Sequence, residues 1–362
     1  MLEVVRRRSE VADIFDKVLA GERITPGEGL RLLACRDLAV LGAMANVVRE
    51  RLNGDRTYYV INRHINYSNV CVNACRFCAF SRRRGEAGAY EMGLEEIFRV
   101  AREGLADPIT ELHIVGGLHP ELPFAFYEAM LRGLKALAPD VHLQALTAVE
   151  IAHIAEVGGL SVREALERLV EAGLGSIPGG GAEVFSPELR RELCPTKLSG
   201  ENWLGVMRTA HELGLRSNAT MLYGHVETPA QIVEHLDRLR ALQDETGGFM
   251  AFIPLAFHPE HTALAELPAP TGRRDLQLMA VSRIYLDNFP HLKAFWIMLG
   301  LKLAQVSLSF GADDLDGTVV EERITHAAGA RTPQAMTVAA LRALIEEAGR
   351  TPVERTTLYE TV

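Results

Sequence analysis

Cysteine is scarce in this chain: five in 362 residues, three of them between positions 71 and 78. That excludes a disulfide framework and predicts a reducing cytoplasmic setting. Long apolar runs are missing too. None reaches the roughly 18 residues that a membrane helix needs. Positive charge is not in excess, with 38 Lys and Arg against 47 Asp and Glu and a net charge of −9. A protein that grips phosphate backbones is usually basic on one face, so nucleic acid is not an expected partner. The acidity reads as solubility. Residues Met1–Ser9 carry arginines with no apolar segment behind them, so no secretory signal is expected. Internal repeats and low-complexity tracts are absent.

What is there suits one large α/β unit. A barrel of about 250 residues with appended elements fits the length, and 48% hydrophobic residues supply a core. Residues 10–55 show apolar spacing of helical period, with Thr25-Pro26 as a start signal. From residue 57 short β-rich runs alternate with helical ones. Strands are expected at Tyr58–Asn66, Glu111–Gly116, His142–Thr147, Gly175–Pro178, Ser217–Tyr223, Phe249–Phe257, Ala294–Met298 and Val306–Phe310. Eight such runs with helical crossovers predict a parallel (β/α)8 TIM-like barrel. The expected division is an N-terminal helical extension at 1–55, the barrel at 56–320 and a C-terminal helical extension at 321–362, all in one unit. That last stretch reads as a helix over Thr332–Ala348 and a short polar tail. On the first strand, Asn62, His64 and Asn66 alternate with Ile61, Arg63 and Ile65, which puts a polar face toward the lumen.

Cys71, Cys75 and Cys78 directly follow that strand with C-x3-C-x2-C spacing. Loops after the C-terminal ends of barrel strands carry active sites. Three thiolates are one short of a closed metal site. They suit a 4Fe-4S cluster with one open iron, where S-adenosylmethionine (SAM) can place its amine and carboxylate. Phe77 and Phe80 would give apolar cover. A zinc site completed by Cys194 or a histidine is the alternative, and with it a binding module without catalysis.

Other strand ends carry further candidates. Gly116-Gly117 lets a ligand approach the backbone, here the amino-acid end of SAM. Gly179-Gly180-Gly181 follows the fourth strand without the Lys-Ser/Thr of a phosphate loop. Ser176 and Glu183 flank it as candidate SAM partners. His119, His225, His258 and His261 lie just after expected strands and titrate near neutrality; His258 and His261 also have the look of a metal pair. Asp313-Asp314-Leu-Asp316-Gly317 reads as a loop that binds a ribose or a cation, or is simply solvated.

At these residues the chain resembles the radical SAM superfamily, whose C-x3-C-x-aromatic-C motif matches Cys71, Cys75, Phe77 and Cys78. The resemblance extends over roughly residues 55–350. Ile65–Cys71, Ser176–Glu183 and Ala219–His225 are similar to the subgroup that makes menaquinone by the futalosine route, which also includes a deazaflavin-cofactor synthase subunit. Asn62–Asn66 and His113–Pro123 look most like its aminofutalosine synthase branch, with cyclic dehypoxanthine futalosine synthase as close rival. Leu118 departs from the pattern, standing where many members carry Glu after Gly-Gly.

The resemblance implies a transferase that consumes SAM as cosubstrate. The 5′-deoxyadenosyl radical would add to the enol ether of 3-[(1-carboxyvinyl)oxy]benzoate. Aryl migration and loss of a carboxylate would give 6-amino-6-deoxyfutalosine and methionine. Arg63, His64, His119, His225 and His258 are candidates for the substrate carboxylates, and Lys197 for that of SAM. A low-potential electron donor such as flavodoxin or ferredoxin is the implied protein partner.

Overall fold

The computed structural model describes residue 6 and residues 9–362; most of the N-terminal segment read for a secretory signal lies outside the described residues. Seven parallel strands form the central curved sheet in the order β2-β3-β4-β5-β6-β7-β8. They are β2 (Asn62–Ile65), β3 (Glu111–Ile114), β4 (His142–Ala145), β5 (Ser176–Ile177), β6 (Arg216–Tyr223), β7 (Phe249–Ala256) and β8 (His291–Leu292). A second, three-stranded sheet joins β1 (Arg56–Val60) in parallel to β10 (Thr351–Glu354) on one side and β9 (Asp314–Gly317) on the other. The gap between β8 and β2 is bridged by one segment, residues 313–320, which pairs Asp314 with Lys293 and Val320 with Arg63. The α/β barrel expected from the alternating pattern is therefore present, with an irregular segment at the eighth strand position.

Three expectations about its parts are corrected. Tyr58–Asn66 is two strands, because residues 56–60 pair with β9 and β10 while 62–65 pair with β3. Val306–Phe310 is no strand: Leu301–Ser307 is helical, burying Ala304, Ser307 and Leu308 at helical spacing while Val306 is 45% exposed. Ala294–Met298 is mostly a turn of helix, Trp296–Leu299, whose indole donates to Gly317 O at 2.9 Å.

The acidic run, expected as a loop, is instead mostly strand β9. Asp313, Asp314 and Asp316 are buried, and each meets a basic side chain: His291 (2.6 Å), Arg355 (2.6 Å) and Lys293 (2.7 Å). Buried carboxylates persist only when paired.

The flanks dock on the barrel. Thr25 and Glu28 form the capping box that starts the helix Pro26–Ala34. Gln277 then donates to the carbonyls of Leu33 and Cys35 at its C-terminal end. At the C-terminus the helix begins at Val338, not Thr332. Thr332 spends its hydroxyl on Ile297 O, and Thr337 caps Ala340 N. The tail read as polar forms β10.

Candidate active site

Inner-face residues of parallel strands line up through the register. His64 is level with His113, His113 with Gln144, and Gln144 with Ser176. Of these, His64, His113 and Gln144, with Asn218, Thr220, Lys293 and Asp316, form the polar floor of a cavity of about 330 Å³. Its other end is the cysteine loop: Cys71, Cys75, Cys78, Phe77 and Phe80 all line it. Gly116, Gly117, Gly179, Gly180, Gly181, Glu183, Lys197 and His258 lie along the walls. Most of the residues singled out by sequence thus share one chamber.

The cysteine loop is held on three sides. Cys71 N–H donates to Arg82 O (2.9 Å), Val72 N–H to Leu118 O (3.0 Å) and Arg76 N–H to Leu193 O (2.8 Å). Gly117 N–H in turn donates to Ser68 O at 2.8 Å. Behind Gly116, the buried Glu150 accepts from Gly116 N–H (2.9 Å), the Tyr67 hydroxyl (2.8 Å) and Thr147 N–H (2.7 Å). Burial pushes the Glu150 carboxyl up, against these donors.

The three thiols fit an iron–sulfur cluster better than a single ion. Among the described residues no three His, Cys, Asp or Glu side chains converge on one ion position, as mononuclear zinc requires. Cys194 is buried behind Cys75, within hydrogen-bonding reach but outside the cavity. The Cys194 thiol, and then burial, push the Cys75 thiol up, and burial pushes Cys71 up, so binding must release protons. Nearby, Lys197 Nζ lies 2.5 Å from Glu183 and 5.5 Å above the Phe77 ring. Burial pulls the Lys197 ammonium down, but Glu183 and then Cys75 outweigh it and hold it above its usual range.

Not all candidates face the cavity. Arg63 has the opposite strand parity to His64; it lies under Gly104 and pairs with Glu103 (3.7 Å) and Glu321 (3.3 Å). Ser176 is one layer deeper, bound to His142 (2.8 Å) and Gln144 (3.2 Å).

His119 accepts at Nδ1 from Glu121 and Leu122 N–H, so its Nε2–H donates to Glu91 at 2.6 Å. His225 accepts from Val226 N–H (2.7 Å) and donates to Leu222 O (3.1 Å). Neither imidazole has a nitrogen left for substrate, and neither lines the cavity. Replacing His119 by alanine is therefore expected to lower stability by about 1–3 kcal/mol through orphaned amides, with the Michaelis constant unchanged; thermal melts and steady-state kinetics check both. His258 does reach the rim, donating from Nε2 to Met298 O at 3.0 Å. His261 is exposed, and among the described residues it joins no group of three or more side chains that could hold a metal ion.

Sequence reasoning passed over His113, Gln144, Asn218, Lys293 and Glu150. The signal for His113 and Gln144 was register with His64 on neighbouring strands. The signal for Glu150 was its capping-box spacing from Thr147, whereas Lys293 had none, since it follows a two-residue strand that the sequence does not announce.

At the rim Glu322 accepts from Ile324 and Thr325 N–H and contacts His326 Nδ1 at 3.2 Å. The Glu322 hydrogen bond, against burial, raises His326 from 6.5 to about 9. Its stabilisation is complete below pH 6.5 and is lost as pH rises toward 9. The melting-temperature advantage of wild type over His326→Gln is expected to shrink across that window; parallel curves would contradict it.

Comparison with known proteins agrees with this architecture. A sequence model of the radical SAM superfamily matches residues 65–239, and one of the CofH/MqnC C-terminal region matches 246–362. The chain is 48% identical to an aminodeoxyfutalosine synthase of Thermus thermophilus over 98% of its own length and 97% of the relative's. It is 43% identical to a 5-amino-6-(D-ribitylamino)uracil–L-tyrosine 4-hydroxyphenyl transferase of Methanoculleus marisnigri, over 96% of each. Its fold is that of methylornithine synthase (PylB), with a TM-score of 0.75 over 94% of this chain and 97% of the other, at 19% identity. A three-cysteine loop at the mouth of a parallel barrel and near full-length similarity of this degree lead to one conclusion: the chain belongs to the radical SAM superfamily and, within it, to the CofH/MqnC family.

Proposed function

We propose that this enzyme is an aminofutalosine synthase, joining the adenosyl group of SAM to 3-[(1-carboxyvinyl)oxy]benzoate with aryl migration and loss of a carboxylate. The observation that carries this reading is a single cavity with a three-cysteine loop at one end and a polar, histidine-lined floor at the other. The similarity to the Thermus thermophilus synthase supports it.

Cys71, Cys75 and Cys78 would hold a 4Fe-4S cluster with one open iron. Bound there, that cluster supplies the low-potential electron that splits SAM into methionine and the 5′-deoxyadenosyl radical. Lys197, fixed by Glu183 beside the cysteine loop, offers its remaining N–H donors to the SAM carboxylate. The backbones of Gly116-Gly117 and Gly179–Gly181 leave room for the rest of SAM. Phe77, Phe80, Ile253, Leu255 and Phe257 exclude water and loose hydrogen donors from the radical's path. His258 and His64 serve as polar contacts to the substrate. A low-potential donor such as flavodoxin or ferredoxin is the expected electron source.

Anaerobic incubation of the reduced holoenzyme with SAM and each candidate acceptor tests the reading. Consumption of the enolpyruvyl benzoate, with a product of the mass of 6-amino-6-deoxyfutalosine, is expected. The 43% identical transferase and the cyclase sibling define the competing outcomes. Turnover of tyrosine with the ribitylaminouracil, or of dehypoxanthine futalosine, in place of the enol ether would overturn it.

A further inference from the structure

We propose that Lys293, with the stacked His64 and His113 beside it, is the subsite for the ring carboxylate of the substrate. This rests on the reading above and deepens it.

The floor of the cavity has hydrogen-bonding capacity that the protein leaves unused. Lys293 is 5% exposed, and its three N–H groups meet one carboxylate oxygen, Asp316 Oδ1 at 2.7 Å. His64 Nε2 is buried with no partner, although His64 lines the cavity. Its ring stacks on that of His113 at 4.4 Å, and His113 is tied through Nδ1 to Gln144 at 3.2 Å. A buried polar atom without a partner costs free energy, so a site that keeps one is built for a visitor.

Asp316 adds a second sign of construction. It sits at φ 67°, a region sparsely populated by non-glycine residues. It is held there by its N–H to Asp314 (2.5 Å) and by Lys293. Such strain persists where the surroundings over-determine it, commonly at ligand sites.

Position then assigns the ligand group. Lys197, beside Cys75 and Phe77, occupies the end where SAM is expected. Lys293 lies on the strand floor with His64 and Asp316. Ile253, Leu255, Phe295 and Met298 give the intervening wall an apolar face suited to an arene. A substrate whose enol ether must meet the radical carbon near the cysteine loop therefore points its ring, and the carboxylate on it, at Lys293.

The test compares two ligands by calorimetry on the reconstituted holoenzyme without SAM: the diacid 3-[(1-carboxyvinyl)oxy]benzoate and 2-phenoxyacrylate, which lacks the ring carboxylate. Wild type is expected to favour the diacid roughly 10- to 100-fold, as a charged hydrogen bond implies. In Lys293→Gln that preference is expected to fall to within about threefold, because the cycle isolates the pair. Equal weakening of both ligands by the substitution would overturn the proposal and leave Lys293 a structural residue. Equal binding of both ligands by wild type would overturn it without any variant, so a misfolded Lys293→Gln does not protect it. Failure of wild type to form the adenosylated product from the diacid would instead remove the functional reading itself.

Discussion

Alanine at any one of Cys71, Cys75 or Cys78 is expected to abolish turnover and strip the iron. Loss of a single outer partner of a metal site costs roughly 10- to 100-fold, and loss of a thiolate ligand should exceed that by at least about tenfold. Two remaining thiolates cannot anchor a four-iron cluster that already leaves one iron without a protein ligand. Iron content and visible absorbance after anaerobic reconstitution measure it. Cys194→Ala is the informative control. Cys194 stands behind Cys75 and outside the cavity, so its removal should leave close to the wild-type iron. Equal loss of metal in that variant would point to a closed four-thiolate site.

Gly117→Ala is expected to cost about 100-fold in turnover with every cysteine still in place. A Cβ there would lie 2.3 Å from Val70 O and 2.8 Å from Val70 C. Both are backbone atoms of the residue before Cys71, so no side chain can swing aside. The two segments are also locked by Gly117 N–H to Ser68 O and Val72 N–H to Leu118 O. The loop must therefore shift as a body, and misplacement of about 1 Å near reacting atoms costs on the order of 10²-fold. Overpacking of this kind also lowers stability by about 1–3 kcal/mol. Gly93→Ala is the matched control, because a Cβ at Gly93 meets nothing within 4 Å. A Gly117→Ala enzyme with wild-type kcat would show that the contact is slack.

Much of this site was legible before the structure. The cysteines, Gly116-Gly117, the glycine run and His64 were readable because spacing, strand-end position and two-residue alternation are local properties. The same alternation already placed Arg63 on the outer face, so its candidacy conflicted with the pattern that nominated His64. His119 and His225 misled because strand-end position says nothing about which nitrogens are already occupied; loop backbone amides one to three residues on consume them.

What stayed hidden depends on pairing between distant segments. Asp313, Asp314 and Asp316 read as a solvated run because their partners come from residues 291, 355 and 293. Val306, Leu308 and Phe310 imitate a strand, while the true pairing segment is acidic and lies just beyond them. The C-terminal tail becomes a strand only because β1 offers it an edge.

The central claim is that the radical carbon is added to the substrate and kept. SAM deuterated at the 5′ methylene tests this in one turnover with the reduced holoenzyme and 3-[(1-carboxyvinyl)oxy]benzoate. Both deuterons are expected in an adenosylated product formed one-for-one with methionine. Release of the label as free 5′-deoxyadenosine, with no adduct, would contradict radical addition and point to hydrogen abstraction instead.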